Sequence, residues 1–325
     1  MPEGRGPLSN FLISELGAPA HEIGLAPPPG DDAMQGDDFH LGLYLCYELH
    51  YRSFEGVDDA REWDPDLLRF RGVLEQSFLA ALRADAPTDP DVDAALGELL
   101  VVPIGGRGPS YHLLERGERW QLREYVAHRS LYHLKEADPQ AWVIPRLDGQ
   151  AKASFVTVEH DEYGAGRAER LHARLFAEMM VALDLDPTYG RYLDVAPAVT
   201  LATVNAMSLF GLHRSLRGAL IGQFASVEIT SSPGSARLAK AVERLNGAAG
   251  GDEFYTEHIE ADAVHEQLVR GGVIAGLLAT NPELAADVVF GIRVDGLLED
   301  RLGDHLLAAW TRGQSSLLAP LPDAG

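Results

Sequence analysis

The chain has 325 residues, 46% of them hydrophobic, with a net charge of −22 and a pI of about 4.8. This length and hydrophobic content predict one large domain with a sizeable core. The acidity argues against nucleic acids and anionic membrane surfaces as partners, because both attract basic proteins. The single cysteine, Cys46, lies in an apolar run and is predicted to be a core residue. With no signal peptide or membrane-length apolar run, we expect a cytoplasmic protein.

The domain organisation predicted in chain order is an N-terminal arm over residues 1–35 followed by one domain over residues 36–325. The arm ends near a proline-rich stretch and is expected either to pack on the surface or to be partly disordered. Apolar residues then recur at helical spacing, and no strand-like alternation persists, so the predicted fold class is all-α. The helices are predicted at 38–55, 65–84, 91–100, 117–138, 150–163, 167–184, 197–208, 212–230, 235–246, 253–271, 273–291 and 296–312.

Proline and glycine residues are predicted to separate these helices. The glycine-rich segment 103–109 is expected to be a loop, and Pro139 is expected to end the helix before it. The segment 231–234, which contains Pro233 and Gly234, is expected to break the chain between two helices.

One spaced set of side chains consists entirely of residue types that bind metals. Its final part, His258, Asp262 and His265, has offsets of four and seven residues, which place all three on one stripe of a helix. The set has four carboxylates and three imidazoles, and two divalent cations would balance its four negative charges. The members are Glu136, Glu162, His172, Glu228, His258, Asp262 and His265.

The neighbours of these residues indicate buried positions. Glu162 shares a helix face with Phe155 and Val158, and Glu228 follows Phe224 by one turn. A carboxylate on an apolar face is costly unless it is paired or bound to a metal. Any one such residue is more often a hydrogen-bonded core residue, so the prediction depends on the whole set. Mixed imidazole and carboxylate ligands suit iron or manganese.

The order and spacing of this set resemble the haem-oxygenase-like di-iron oxidase and oxygenase family, also described as iron-containing redox enzymes. Glu162 follows Glu136 by 26 residues, His172 follows Glu162 by 10, and Glu228 follows Glu162 by 66. The segments 46–51, 159–164 and 254–258 are also similar to the family, and the resemblance covers roughly residues 36–290. It implies a haem-oxygenase-like helical bundle of about seven core helices that holds two iron ions and uses O2 as co-substrate.

The resemblance also implies how the ligands divide. One iron would be held by His172, Glu228 and His258, and the other by Glu136, Asp262 and His265, with Glu162 bridging them. A rival set remains open, in which Glu169 replaces Glu162, because Glu169 and His172 form an i, i+3 pair of the kind used in ferritin-like bundles. The overall spacing favours Glu162.

The function implied by the resemblance is that of an O2-dependent non-haem di-iron oxidoreductase. N-oxygenation of an amine or guanidine on an amino-acid-like substrate, in natural-product biosynthesis, is favoured slightly because the ligand set is complete. Oxidative C–C cleavage or decarboxylation of an amino or fatty acid is the alternative. Candidate substrate contacts are His50, Arg214 and Tyr255. An external electron donor and a homodimer are further expectations.

Two hypotheses from other classes are kept. The chain could be a non-enzymatic helical metal-binding protein, which would hold metal without O2-dependent chemistry. It could also be a haem oxygenase with His40 or His50 as the haem ligand, although the carboxylates would then have no role. The substrate, the electron donor, the oligomeric state and the occupancy of each iron site cannot be read from the sequence.

Overall fold

The computed structural model describes residues 1–18, 32–86, 90–101, 106–246 and 251–321, without the side chains of residues 260–263. Within these residues the chain forms helices and turns and no strand, so the all-α helical bundle prediction is confirmed. A π-helix over Val269–Ile274 follows α12. The α-helices are α1 (Pro7–Gly17), α2 (Asp37–Glu48), α3 (Pro65–Asp85), α4 (Val92–Leu99), α5 (Pro109–Glu115), α6 (Arg119–His133), α7 (Asp138–Ala141), α8 (Gly149–Glu162), α9 (His172–Ala182), α10 (Ala198–Leu212), α11 (Arg217–Asn246), α12 (Glu253–Leu268), α13 (Ala275–Thr280) and α14 (Ala285–Thr311).

Capping residues fix where several helices begin. The Asp64 side chain accepts hydrogen bonds from the backbone N–H groups of Asp66 and Leu67, and Pro65 opens α3 in the first turn, where its missing N–H costs nothing. Glu118 and Gln121 form a reciprocal capping box at the start of α6. Because these signals are local in sequence, the predicted starts of these helices are close to the observed ones.

The N-terminal arm begins with a packed helix. Leu8, Leu12 and Leu16 of α1 are buried against α2. Asp38 accepts hydrogen bonds from the backbone N–H groups of Leu8 and Ser9 and from the Ser9 hydroxyl. The first part of the predicted arm is therefore ordered on the bundle, whereas residues 19–31 lie outside the described residues.

The long helices α11 and α14 form the centre of the bundle and cross at very close range. A Cβ atom at Gly222 would overlap the carbonyl oxygen of Val288, and one at Gly291 would overlap the carbonyl oxygen of Ala219. Only glycine permits this approach, since the clashing atoms are backbone atoms that cannot rotate away. The crossing fixes the position of α11, which carries Glu228, relative to α14.

Two of the predicted separations between consecutive helices are wrong. The break at 231–234 does not occur, since α11 continues through Pro233. α11 packs against α5, α12 and α14. The stabilisation from this packing outweighs the loss of the helical hydrogen bond that Pro233, which has no backbone N–H, cannot donate. The last two predicted helices are separated at Asn281 rather than near residue 293. Asn281 precedes Pro282, and a residue before proline disfavours helical backbone angles. Asn281 accordingly has φ −134° and ψ 64°.

Helix length and composition bear on membrane crossing. Across the described ranges, no single helix is both long enough and apolar enough to span a bilayer. The bent pair Val264–Thr280 and Pro282–Thr311, which meet at 116°, satisfies the length and composition criteria when the two are taken together.

Candidate metal centre

The described side chains among the predicted ligands are buried and converge from several helices. Glu136 lies in the turn after α6, Glu162 ends α8, and His172 begins α9. Glu228 lies in the middle of α11, and α12 carries His258 and His265. Asp262 belongs to α12, but its side chain lies outside the described residues. The fold thus brings together all of the predicted ligands whose side chains it describes.

The first ligand group combines Glu136, Glu162, His172 and His258, with one donor atom of each within 4.8 Å of the others. Nδ1 of His172 lies 2.7 Å from Oε2 of Glu162, and Nε2 of His258 lies 3.9 Å from Oε1 of Glu136. The two imidazole rings also pack together, with centroids 4.4 Å apart. Two carboxylates and two imidazoles at this spacing are enough to bind one divalent ion.

The second ligand group combines Glu162, Glu228 and His265, again with donor atoms within 4.8 Å of one another. Nδ1 of His265 lies 2.9 Å from Oε2 of Glu228 and 3.8 Å from Oε1 of Glu162. Glu162 therefore belongs to both groups. Its Oε2 faces His172 while its Oε1 faces His265, which is the arrangement of a carboxylate that can bridge two ions.

The spacing along α12 explains why its two histidines serve different groups. Seven residues of α-helix rise about 10 Å. His258 and His265 are on the same stripe of α12 but two turns apart, so they reach opposite sides of Glu162. Two of the three residues of the predicted stripe, His258 and His265, therefore lie in different ligand groups.

The division of the carboxylates differs from the one that the resemblance implied. Glu136 lies with His172 and His258, and Glu228 lies with His265, so the two carboxylates exchange places. Glu136 was also expected inside a helix ending at residue 138, but α6 ends at His133. The turn that follows α6 swings Glu136 toward α9 and α12.

The rival ligand Glu169 does not join either group. It lies in a short 3₁₀ turn before α9, and it is exposed. Glu162, by contrast, is 4% exposed. The geometry favours Glu162 over Glu169 as the shared ligand.

Hydrogen bonds and close polar contacts behind the ligands fix their orientation. Nδ1 of His258 donates to the carbonyl oxygen of Phe254 at 2.7 Å, which leaves Nε2 facing Glu136. Nδ1 of His133 lies 3.0 Å from Oε1 of Glu136, and Nε2 of His265 lies 3.2 Å from Oδ2 of Asp161. Partners of this kind set the tautomer and the ring position of a metal-binding histidine.

We expect the substitution Asp161→Ala to weaken metal binding at the second ligand group by roughly 10-fold to 100-fold, because Asp161 contacts Nε2 of His265 and helps to orient its ring. Anaerobic Fe(II) titration in competition with a chelator measures this change. Asp184→Ala is the control, since Asp184 is an exposed carboxylate paired with Arg119. Equal affinity in the Asp161 variant and the wild type would contradict the orienting role.

The charges within the groups shift the pKa values of their members. Burial lowers the pKa of His172, but the hydrogen bond and charge of Glu162 outweigh it and raise the pKa to about 9. His265 reaches a pKa of about 9 in the same way, through Glu228 and Glu162. Burial raises the pKa of Glu228. The carboxylates therefore favour the protonated, positively charged forms of His172 and His265. Binding of a metal ion in their place would release these protons.

Unpaired buried oxygens test whether the residues fit a metal ion. Oε2 of Glu136 is buried and has no hydrogen-bond partner among the described residues. The same holds for both carboxylate oxygens of Glu159, whose pKa is raised by burial and by the nearby charges of Glu162 and Glu228. Buried carboxylates without donors are unfavourable unless a cation or a proton binds them. This donor set fits an iron site. Glu159 was missed by the sequence analysis, although its position one helical turn before Glu162 places it on the same face of α8.

A cavity of about 450 Å³ opens onto the first ligand group and part of the second. Glu136, Glu162, Glu228 and His258 form part of its lining, and so does the predicted substrate contact Tyr255. The sequence analysis missed Tyr132 and Gln140, which also face this cavity. The cavity gives a small molecule direct access to the ligands.

The other predicted substrate and haem residues lie elsewhere. His50 contacts Arg71 and Glu62 and packs against Trp63, and it does not line the cavity. Arg214 is exposed in the turn before α11 and does not line the cavity. His40 is enclosed between Phe39 and Phe78 in the core, where burial lowers its pKa to about 4. The described positions of His50 and Arg214 do not support them as substrate contacts, and those of His40 and His50 do not support either as a haem ligand.

Comparison with known proteins agrees with the site. The profile of the family described as iron-containing redox enzymes matches residues 123–295, just over half of the chain. A nitrosourea synthase of Streptomyces achromogenes subsp. streptozoticus is 24% identical over 207 residues, which are 62% of this chain and 43% of that protein. The chain thus matches less than half the length of this relative. Because the family match covers more than half of the chain, the chain belongs to the iron-containing redox enzyme family.

Proposed function

We propose that this protein is an O2-dependent di-iron oxygenase that N-oxygenates an amine or guanidine of an amino-acid-like substrate in natural-product biosynthesis. The observation that carries the proposal is the pair of buried ligand groups sharing Glu162 at the end of a substrate-sized cavity. The nitrosourea synthase supports nitrogen as the atom oxidised, since a nitrosourea carries oxygen on nitrogen. Cytoplasmic location remains part of the proposal.

Each ligand group has a defined role in the proposed site. Glu136, Glu162, His172 and His258 would hold one iron ion, and Glu162, Glu228 and His265 the other, with Asp262 as a further predicted ligand. When bound, the two ions supply the site for O2 activation. His133 and Asp161 hold Glu136 and His265 in place, so the geometry is set before substrate enters.

The cavity residues position the substrate and limit water. Phe224, Phe254 and Tyr255 form an apolar part of the wall beside the ligands, and all three are buried. An apolar wall excludes water from the reacting nitrogen and strengthens the electrostatic interactions of the site. The substrate nitrogen would lie between this wall and the carboxylates.

The proposed reaction balances with an external reductant. One oxygen atom of O2 is added to the substrate N–H, forming an N–OH group, and the other leaves as water. This requires two electrons and two protons in addition to O2. An external electron donor is therefore a proposed partner of this protein.

Anaerobic Fe(II) loading followed by mixing with O2 tests the proposal. We expect about two iron ions per chain, a number that follows from the two ligand groups. With a reductant and a panel of amino-acid-like amines and guanidines, we expect O2 consumption and a product that is one oxygen heavier. A stoichiometry of one iron or none, or no product from the panel, would overturn the proposal.

The same experiment separates the alternative reaction. Oxidative C–C cleavage would release CO2 or a shortened carbon chain, whereas N-oxygenation keeps every carbon atom of the substrate. The buried ligand groups serve either outcome, and the likeness to a nitrosourea synthase favours nitrogen. The non-enzymatic hypothesis is not retained, because the family consists of redox enzymes.

A further inference from the structure

The cavity has an acidic wall apart from the metal ligands. α14 contributes Asp295, Glu299, Asp300 and Asp304 to the lining. The half-buried Arg129 donates to both carboxylate oxygens of Glu299, with Nη1 to Oε1 at 2.7 Å, and so offsets the charge of Glu299. Arg107 is a second cation in the lining, but Asp295, Asp300 and Asp304 outnumber it, so this wall keeps a net negative charge.

Gln140 provides an independent sign of a ligand. It is 1% exposed and lines the same cavity, four residues after Glu136. Its Nε2 atom donates to the Tyr132 hydroxyl at 3.0 Å, whereas Oε1 is buried and has no hydrogen-bond partner among the described residues. A buried amide oxygen that faces a cavity without a donor is unfavourable until a ligand supplies one.

Asp295 is already hydrogen-bonded, to Gln223 and Ser226, but retains acceptor capacity. It accepts a hydrogen bond from Nε2 of Gln223 at 3.2 Å, and a carboxylate has room for more than one donor. Burial raises the pKa of Asp295, and the negative charge of Glu299 adds to this effect. A bound cation would relieve the repulsion between the two carboxylates.

We propose that the cavity binds an organic cation, a guanidinium or an ammonium group, with Asp295 and Gln140 accepting its N–H hydrogen bonds. Acceptors on the wall and a net negative charge select a ligand that is positively charged and rich in N–H donors. The identification of this cation as part of the substrate rests on the proposed function. Binding itself does not depend on the oxidation step.

The test is calorimetric titration of the iron-loaded protein without O2, using butylguanidine, butylammonium and butylurea as probes. Butylurea has nearly the same shape as butylguanidine but carries no charge. We expect butylguanidine or butylammonium to bind at least about tenfold more tightly than butylurea. The preferred cation distinguishes a guanidinium site from an ammonium site, and equal binding of butylurea would overturn the proposal.

Variants locate the site. Asp295→Asn, which keeps the side-chain shape and removes the charge, is expected to weaken binding of the preferred cation about tenfold and to change butylurea binding little. Gln140→Leu is expected to weaken the binding of the cation and of butylurea alike, because Oε1 of Gln140 can accept an N–H hydrogen bond from either probe. Asp287→Asn is the matched control, since Asp287 lies two turns earlier on α14 and outside the cavity lining. Unchanged cation affinity in the Asp295 variant would refute the assignment.

The outcomes separate this inference from the proposed function. Tight cation binding without any O2-dependent product would support the cation site and refute the N-oxygenase. Oxygenation of a neutral substrate without cation binding would support the oxygenase and refute the cation site.

Discussion

The substitution Glu162→Ala is expected to abolish iron binding in both ligand groups at once. Glu162 is the one residue common to the two groups among the described side chains, and each of its oxygens faces a different histidine. Loss of a residue that only orients a ligand costs about 10-fold to 100-fold in metal affinity, and loss of a shared ligand should cost at least as much at each site. Iron per chain after anaerobic loading and desalting measures the effect.

Single-group variants and a nearby control sharpen this prediction. Glu136→Ala should reduce binding only in the group with His172 and His258, and Glu228→Ala only in the group with His265. Glu169→Ala should retain full iron content, since Glu169 is exposed. Loss of iron from the Glu169 variant together with retention in the Glu162 variant would reverse the ligand assignment.

The substitution Gly222→Ala is expected to destabilise the fold by at least about 1–3 kcal/mol, the usual cost of overpacking a core. The added methyl group would overlap the carbonyl oxygen of Val288, so α11 and α14 would have to separate. Because Glu228 lies on α11, the second ligand group should lose iron affinity as well. The midpoint of urea-induced unfolding measures the stability change.

The control for this prediction lies on the same pair of helices. A Cβ atom at Gly296 of α14 would meet nothing within 4 Å. Gly296→Ala should therefore stabilise the protein by roughly 0.5–1 kcal/mol, because alanine restricts the unfolded chain more than glycine does. A Gly222 variant as stable as the Gly296 variant would show that the crossing is not close-packed.

The sequence predicted those parts of the fold that depend on local signals. The helix predicted at 65–84 is observed at Pro65–Asp85, and the one predicted at 150–163 is observed at Gly149–Glu162. Pro233 shows where local reasoning fails. Proline disfavours the interior of an isolated helix, so the local sequence predicts a break. α11 continues through Pro233 because it packs against three other helices, and two of these, α5 and α14, are distant in sequence.

The candidate site shows the same limit. The spacing of the seven residues predicted a common centre, and the structure brings the described ones together, while metal ligation itself stays a prediction. Residues that orient the ligands do not occur at a characteristic spacing in the sequence. Asp161 contacts His265, which is 104 residues away in the sequence. Gln140 could not be identified from the sequence, because it lines a cavity formed by several separate helices.

The ligands of this centre come from separate parts of the chain, which has a consequence for the lifetime of the protein in a cell. Bound ions would act as cross-links that tie the turn after α6 to α8, α9, α11 and α12. Ligands that bind only the folded state raise the free energy of unfolding in proportion to the logarithm of their concentration. The resistance of this protein to proteolysis should therefore rise and fall with the iron supply, so that iron-starved cells degrade the enzyme they cannot use.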